Sequence, residues 1–328
     1  MNQRCSHSRS YPWRPAVVVA ILALVCVLPL IFTGAYARQV LVVCGINIIV
    51  ACSVRLINLS GQFSLATGAM MTLGGYLSAL LAIHYGVSPW IGFLIAAAAA
   101  FIVACMFGFA FVRLKGMYFA MVTLFFMQIV TLIVLDLRSF TGGINGLFNI
   151  PWPEGIKVET AFYYVIVAIS VISLLLFYLL EHSRLGLVFK GISQTETLCE
   201  SVGINVRIMK VLAFGLGSLF AGLAGACYGH YMGALNPSAF GFTFTLYAVI
   251  YMVVGGRNAF VGPILGATVL TLANNLLRAF ASFQPLFFAA VLLLIVFLMP
   301  EGLVGLPSRG SALVRRYRER RSGRAAQG

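Results

Sequence analysis

Long runs of apolar residues limit the possible folds of this chain more than any other feature. Residues 162–180 and 211–232, for example, contain no Asp, Glu, Lys or Arg. A helix of about 20 residues crosses a hydrocarbon core about 30 Å thick. Because the backbone must satisfy its own polar groups inside lipid, such runs predict transmembrane helices. The alternating ten-residue segments typical of a transmembrane β-barrel do not occur in this sequence.

The composition supports the same prediction. Apolar residues make up 61% of the chain and charged residues 9%, whereas soluble domains have about 45–50% and about 25%. We therefore predict an all-α fold, a polytopic transmembrane helix bundle with about ten spans and at least about eight. The predicted spans are residues 16–33, 40–57, 63–83, 90–112, 117–135, 162–180, 211–232, 242–256, 262–280 and 284–300.

The spans define the domain organisation. We expect a short tail over residues 1–15, a transmembrane domain over 16–306 and a basic tail over 307–328. The first apolar run has 18 residues, more than the 7–15 of a signal peptide, so we expect an uncleaved first helix.

The basic residues predict the orientation. If the N-terminus is cytoplasmic, 18 of the 22 Lys and Arg residues fall on cytoplasmic segments. The four external ones are Arg38, Arg138, Lys157 and Arg278. This division follows the positive-inside rule and places both termini in the cytoplasm. Basic residues that flank apolar spans are not the footprint of a nucleic-acid-binding protein, so we expect a lipid bilayer and no nucleic acid as partner.

A polar segment, residues 183–210, separates two of the predicted spans. It contains Glu196 and Glu200, two of only eight acidic residues in the chain. Ser193 and Glu196 have the S-x-x-E spacing of a capping box, which predicts a helix that begins at Ser193. Gly203 suits the left-handed position beyond the end of that helix. An ordinary solvated loop is the alternative interpretation of this segment.

Two glycine-rich patterns occur within the predicted spans. Small residues recur every four positions along one span and predict close helix packing; they are Gly217, Ala221, Gly225, Gly229 and Gly233. Residues 57–69 and 255–267 combine glycines with polar side chains at or near membrane depth. Broken helices of this kind occur at transport sites, although ordinary interfacial loops have the same composition.

Several amides lie inside or beside the predicted spans. Polar side chains are costly in lipid and tend to face the bundle interior or a water-filled cavity. We select Gln62, Gln128 and Asn274 as candidates for the lining of a translocation path, followed by Asn58 and Asn275. A hydrogen bond between helices is the alternative role for each of them.

The sequence lacks the motifs of an energy-converting or catalytic domain. It contains no GxxxxGK[ST] phosphate-binding loop, no GxSxG elbow and no cysteine or histidine spacing typical of a metal site. Acidic residues are rare within the spans, which disfavours a proton- or ion-coupled transporter. We expect no cofactor, no metal and no enzymatic activity on this chain.

Six segments, in order, carry a resemblance to a known family. They are "SGQFSLATGAMMTLGGYLSALL", "LKGMYFAMVTLFFMQIV", "TGGINGL", "SRLGLVFKGISQTETLCESVGINVRIMKVLAF", "NPSAFGFTFTLYAVIYMVVGGRNAFVGPILGA" and "MPEGLVGL". With these segments, residues 40–307 resemble the longer of the two permease subunits of bacterial ABC importers for branched-chain amino acids.

The resemblance implies a set of partners and a role for the polar segment. Such a permease pairs with a second permease, two cytoplasmic ATPase subunits that use ATP, and a periplasmic binding protein. It lies in the bacterial inner membrane. The resemblance also implies that the polar segment docks the ATPases and transmits their closure, with Ser193, Glu196, Glu200 and Gly203 at the matching positions.

The substrate remains open at this stage. Where relatives have other residues, this chain has Ala66, Thr67 and Gly68, and it has "GGRNA" at 255–259. Related permeases carry urea, amides or aromatic acids as well as branched-chain or similar hydrophobic amino acids. A stand-alone channel or facilitator for a small neutral solute, such as urea or an amide, is the alternative function.

Overall fold

The fold is described here from a computed structural model, which covers residues 34–277 except Lys115, Glu154, Ile156, Lys157, Arg257 and Asn258. Its α-helices are α1 (Ala35–Leu59), α2 (Thr67–Tyr85), α3 (Pro89–Phe111), α4 (Met117–Asp136), α5 (Arg138–Thr141), α6 (Glu159–His182), α7 (Arg184–Gln194), α8 (Glu196–Ser201), α9 (Val206–Met232), α10 (Phe242–Gly255) and α11 (Val261–Leu277). Within these described residues, strand appears only as a two-residue ribbon, in which β1 (Leu147–Phe148) pairs antiparallel with β2 (Ala234–Leu235).

The predicted all-α bundle is confirmed for the described part of the chain. Six segments are long and apolar enough to cross a membrane: Tyr36–Leu59, Pro89–Phe111, Met117–Asp136, Thr160–His182, Val206–Met232 and Pro237–Gly255. Helix α2, of 19 residues, and the shorter helix α11 match two further predicted spans. The spans predicted at 16–33 and 284–300, and both tails, lie outside the described residues, so the count of ten remains a prediction.

Two predicted boundaries are wrong for identifiable reasons. The span predicted at 63–83 begins only at Thr67, because residues 62–66 form non-helical backbone after the turn that ends α1. The span predicted at 211–232 begins earlier, at Val206, where the Asn205 side chain accepts a hydrogen bond from the backbone N–H of Ile208. This side-chain cap starts α9 before Lys210, a residue that hydropathy alone placed outside the span.

Helix α9 lies at the centre of the bundle and packs on α1, α2 and α3. A Cβ atom added at Gly225 would lie 2.7 Å from Met71 Cα on α2. One added at Gly222 would lie 2.5 Å from Ala100 Cβ on α3. Glycine at these positions therefore allows the helix backbones to approach one another closely.

Of the five residues of the predicted small-residue face, Gly217, Ala221, Gly225 and Gly229 lie against other parts of the chain or are buried. A Cβ at Gly217 would lie 2.9 Å from the carbonyl oxygen of Ser53 on α1, and one at Gly229 would lie 2.8 Å from a methyl group of Leu235. Ala221 is buried. Among the described residues, however, no atom lies near a Cβ added at Gly233; its φ of +66° ends α9 in the left-handed conformation, so it is a C-cap.

The β-ribbon closes one end of the bundle, which we call the ribbon end. There, His230 in the last turn of α9 is fully buried, with Nε2 2.9 Å from Ser78 Oγ on α2 and Nδ1 2.7 Å from the carbonyl oxygen of Pro151. Since the carbonyl only accepts, Nδ1 carries the proton and the Ser78 hydroxyl donates to Nε2. His230 therefore joins three segments inside the protein.

Candidate functional site

The polar segment lies at the opposite end of the bundle and has an apolar cluster of its own. Ile192 of α7, Cys199 of α8 and Val206 of α9 are buried against one another. Val202, beyond the end of α8, is 70% exposed. The cluster holds α7 and α8 against the first turn of α9.

The predicted capping box does not form. Ser193 lies inside α7, and its hydroxyl donates to the carbonyl oxygen of Lys190 at 2.8 Å. Thr195 is the N-cap of α8, without a side-chain hydrogen bond. Glu196 instead accepts from Lys210 Nζ at 2.7 Å. Lys210 is only 5% exposed, and a buried ammonium requires a counter-charge more strongly than a helix end requires a cap.

The predicted end of this helix is confirmed. Gly203 has a φ of +83°, and its N–H donates to the carbonyl oxygen of Glu200 at 3.0 Å. The Ile204 N–H donates to the carbonyl oxygen of Cys199, also at 3.0 Å. These bonds satisfy the last carbonyls of α8 and turn the chain into α9. The Glu200 side chain and Gly203 are exposed, so both can be reached by another protein.

A buried ion triad connects α1, α6 and α7 beside the polar segment. The guanidinium of Arg55 donates to both carboxylate oxygens of Glu181, at 2.5 Å and 2.9 Å. Lys190 Nζ lies 2.9 Å from Glu181 Oε1. Arg55 and Glu181 are 4% and 6% exposed, whereas the Lys190 side chain is 42% exposed. One carboxylate at the end of α6 thus binds a cation from α1 and another from α7.

The connection between α1 and α2 lies directly against the polar segment. A Cβ at Gly61, where φ is +78°, would lie 3.2 Å from Ser193 Cα. The following residues carry polar side chains that are nevertheless buried, among them Gln62 and Thr67. Within the described part of the chain, neither Gln62 Nε2 nor Thr67 Oγ1 has a hydrogen-bond partner. The connection between α1 and α2 is therefore a non-helical segment with buried polar side chains.

The second glycine-rich break, at residues 255–267, forms a tight hairpin. Helix α10 ends at Gly255 and α11 begins at Val261. A Cβ at Gly255 would fall on the carbonyl group of Gly262, and one at Gly266 would lie 3.0 Å from Gly255 Cα. Glycines here let α10 and α11 pack closely.

The path candidates do not form one cluster. Asn58 lies in the last turn of α1, Gln62 follows the turn after α1, and Gln128 is exposed on α4. On α11, the backbone carbonyl of Asn275 accepts from Tyr36 at the start of α1, and the Asn275 side chain bonds within its own helix. Positions 36 and 58 are about 33 Å apart along a helix. The lining role of these amides, and of Asn274, stays a prediction.

Sequence reasoning missed Glu181 and the role of Lys210. Glu181 stands next to the predicted span 162–180, and Arg55 lies inside the predicted span 40–57. A guanidinium within an apolar run requires a carboxylate, and the chain has only eight acidic residues to supply it. The need of Arg55 for a carboxylate partner was therefore the feature of the sequence that indicated the triad. Among the described residues, no three His, Cys, Asp or Glu side chains are placed to hold a metal ion.

The geometry defines a polytopic membrane protein with an ion-paired polar segment at one end. The family of the branched-chain amino acid transport system / permease component matches residues 36–300, so the chain belongs to this family. Together, the six apolar helices and the family establish a multi-pass inner-membrane protein.

Three curated relatives show the extent of the similarity. The permease LivM of the high-affinity branched-chain amino acid transport system of Escherichia coli K12 is 30% identical, over 79% of this chain and 66% of LivM. The corresponding LivH is 26% identical over 50% of this chain and 56% of LivH. The ribose import permease RbsC is 25% identical over 85% of this chain and 91% of RbsC. This chain thus spans slightly less than two thirds of LivM. No solved structure matches it.

Proposed function

We propose that this protein is a membrane permease subunit of an ATP-driven importer and that the polar segment docks its ATPases. In this proposal a second permease completes the translocation path, two cytoplasmic ATPase subunits hydrolyse ATP, and a periplasmic binding protein delivers the solute. The names of LivM and LivH, two permeases of one transport system, support the second permease. The family description supports the transport role.

The main support for the docking proposal is the exposed surface of the polar segment. Leu187 on α7, Leu198 on α8 and Val202 beyond it are 66%, 65% and 70% exposed. Leu198 and Val202 each stand two residues from the exposed Glu200, and all three apolar residues belong to a segment whose own apolar cluster is already buried. Large apolar side chains rimmed by polar ones mark protein contact sites. The Glu196–Lys210 ion pair ties this surface to α9, so a force on the surface reaches the central helix.

The proposed orientation places the polar segment in the cytoplasm. Contacts bring Arg55, Lys190 and Lys210 to the polar-segment end, while Arg38 lies at the ribbon end, where it donates to Thr160. This arrangement agrees with the grouping that the positive-inside rule requires. Reporter fusions after Arg138 should give an external signal. A cytoplasmic signal there would contradict the orientation.

The proposed solute is a branched-chain or related hydrophobic amino acid. The family description and the printed names of LivM and LivH support this class. Uptake of labelled leucine, measured with excess isoleucine, ribose or urea as competitors, tests it. Only isoleucine should compete. Competition by ribose or urea, without competition by isoleucine, would contradict the proposed class.

A paired substitution in the polar segment tests the docking role. Proline cannot adopt the φ of +83° found at Gly203, and Glu200→Arg reverses an exposed charge. The double variant Glu200→Arg, Gly203→Pro should still insert into the membrane but lose solute uptake and substrate-stimulated ATP hydrolysis in the assembled complex. The single variant Glu200→Arg separates the effect of charge from that of the backbone. Normal uptake and hydrolysis in the double variant would show that the polar segment is only a loop.

A further inference from the structure

We propose that Glu181 is the coupling residue through which movement of the polar segment reaches α1 and α6. In this proposal the Glu181–Arg55 contact is permanent and persists through the transport cycle. The Glu181–Lys190 contact is exchangeable, because it breaks and forms again within each cycle. This inference rests on the proposed ATPase-docking role of the polar segment. It adds residues outside the docking surface and assigns each of them a separate part in the movement.

Arg55 and Glu181 have the geometry of a permanent contact. Two parallel N–H···O bonds join the guanidinium to the carboxylate, and both side chains are almost completely buried. Such bidentate pairs combine strong bonds with a fixed orientation. Separating them would take the Glu181 carboxylate from the buried guanidinium and leave Glu181 with Lys190 alone, in a medium of low dielectric constant. The ends of α1 and α6 should therefore move as one unit.

Lys190 has the geometry of an exchangeable contact. Its ammonium is a point charge on a flexible stem, it reaches only one oxygen of Glu181, and its side chain is 42% exposed. If α7 moves away, water can solvate the ammonium, while Glu181 keeps both bonds to Arg55. The break costs little because no buried charge loses its last partner. α7 can therefore separate from α6 and return within one transport cycle.

A second contact joins α7 to α1. The backbone of Ser193, in the last turn of α7, lies against the turn at Gly61. That turn leads into the buried polar connection that contains Gln62 and precedes α2. A displacement of α7 therefore changes two contacts at once: the salt bridge between Lys190 and Glu181, and the packing of Ser193 against the turn at Gly61. Because α7 contacts the rest of the bundle at both Glu181 and Gly61, a movement of α7 produces a defined movement of α1.

Substitution of Lys190 tests the coupling role against a matched control. Lys190→Met removes the ammonium and keeps most of the stem, whereas Lys190→Arg keeps the charge. Arg184→Met removes a charge from the same helix at an exposed position that forms no ion pair with another described residue. Each variant is purified with its partner subunits. Uptake and the ratio of substrate-stimulated to basal ATP hydrolysis are then measured in proteoliposomes.

The coupling role predicts a specific pattern. Lys190→Met should lower both uptake and the stimulation ratio by about tenfold or more, a change that corresponds to about 1.4 kcal/mol. The ATPases should still copurify with it, and Lys190→Arg and Arg184→Met should stay within about twofold of the unmodified complex. Loss of the ATPases from Lys190→Met would show that Lys190 belongs to the docking surface. Normal stimulation in Lys190→Met would overturn the coupling role, even if Glu200→Arg, Gly203→Pro confirms docking.

A reversible cross-link tests the second contact independently. A Cβ at Gly61 would lie 3.5 Å from Ser193 Cβ, at the lower limit of the range for a disulfide. In a chain without its native cysteines, the pair Gly61→Cys, Ser193→Cys should abolish uptake after oxidation and recover it after reduction. The single variant Gly61→Cys controls for the strain of a side chain at a positive φ. Full uptake by the oxidised, cross-linked protein would show that α7 and α1 do not move relative to one another.

Discussion

The Arg55–Glu181 pair offers a quantitative test of the buried triad. Glu181→Gln removes the negative charge but keeps the side-chain shape, so the guanidinium of Arg55, 4% exposed, loses its counter-charge. Removal of one partner from a buried ion pair costs about 3–5 kcal/mol. The companion loss at Lys190 adds little, because that side chain is 42% exposed and water can solvate it. The midpoint of thermal unfolding should therefore fall by on the order of 10 °C.

The double variant Arg55→Met, Glu181→Leu provides the decisive comparison. It replaces both charges with apolar groups of similar volume, a change that is often neutral or stabilising for buried pairs. Its unfolding midpoint in detergent should therefore lie close to that of the unmodified protein and above that of Glu181→Gln. Glu200→Gln, at an exposed carboxylate, should change stability by less than about 0.5 kcal/mol. If Glu181→Gln were no less stable than Glu200→Gln, the triad would not be the buried network described above.

Two further predictions concern the packing of the bundle. Gly225→Val places side-chain atoms against the backbone of Met71 and should destabilise the protein by about 1–3 kcal/mol, seen as a lower unfolding midpoint. Gly34→Val, at a position where no atom of the described residues lies near an added Cβ, should not lower it. An unchanged midpoint for Gly225→Val would contradict the close approach of α2 and α9. His230→Leu leaves the Ser78 hydroxyl and the Pro151 carbonyl without their partner and should cost about 1–3 kcal/mol per unsatisfied group. Equal midpoints for His230→Leu and the unmodified protein would contradict the buried network at the ribbon end.

The sequence predicted correctly the elements whose structure depends only on nearby residues and on the surrounding lipid. An apolar run needs only lipid around it to become a helix, so eight predicted spans correspond to helices among the described residues. Gly203 was predicted correctly because a left-handed residue is a property of the backbone at that position. The capping box failed because Glu196 has a better partner in Lys210, 14 residues along the chain.

At the candidate site, the sequence could not predict which residues pair with one another when they lie far apart along the chain. Arg55 and Glu181 are 126 residues apart, and no periodicity connects them. Only the cost of a guanidinium in an apolar run indicates that a partner exists. The position of Gly61 against Ser193 depends in the same way on how α7 folds back onto the bundle. Gln128 is exposed on α4. The complete complex determines whether lipid, water or another subunit surrounds it, and the sequence of one chain does not describe that complex.

Uptake by the reconstituted complex tests the central proposal most directly. A tagged form of this chain, purified from native membranes with its bound subunits and placed in proteoliposomes, should take up labelled leucine only when ATP is supplied to the ATPases and the binding protein is present. The chain purified alone should give no uptake. Equilibration of leucine, or of urea, by the chain alone without ATP would contradict an ATP-driven permease subunit and establish a stand-alone channel or facilitator.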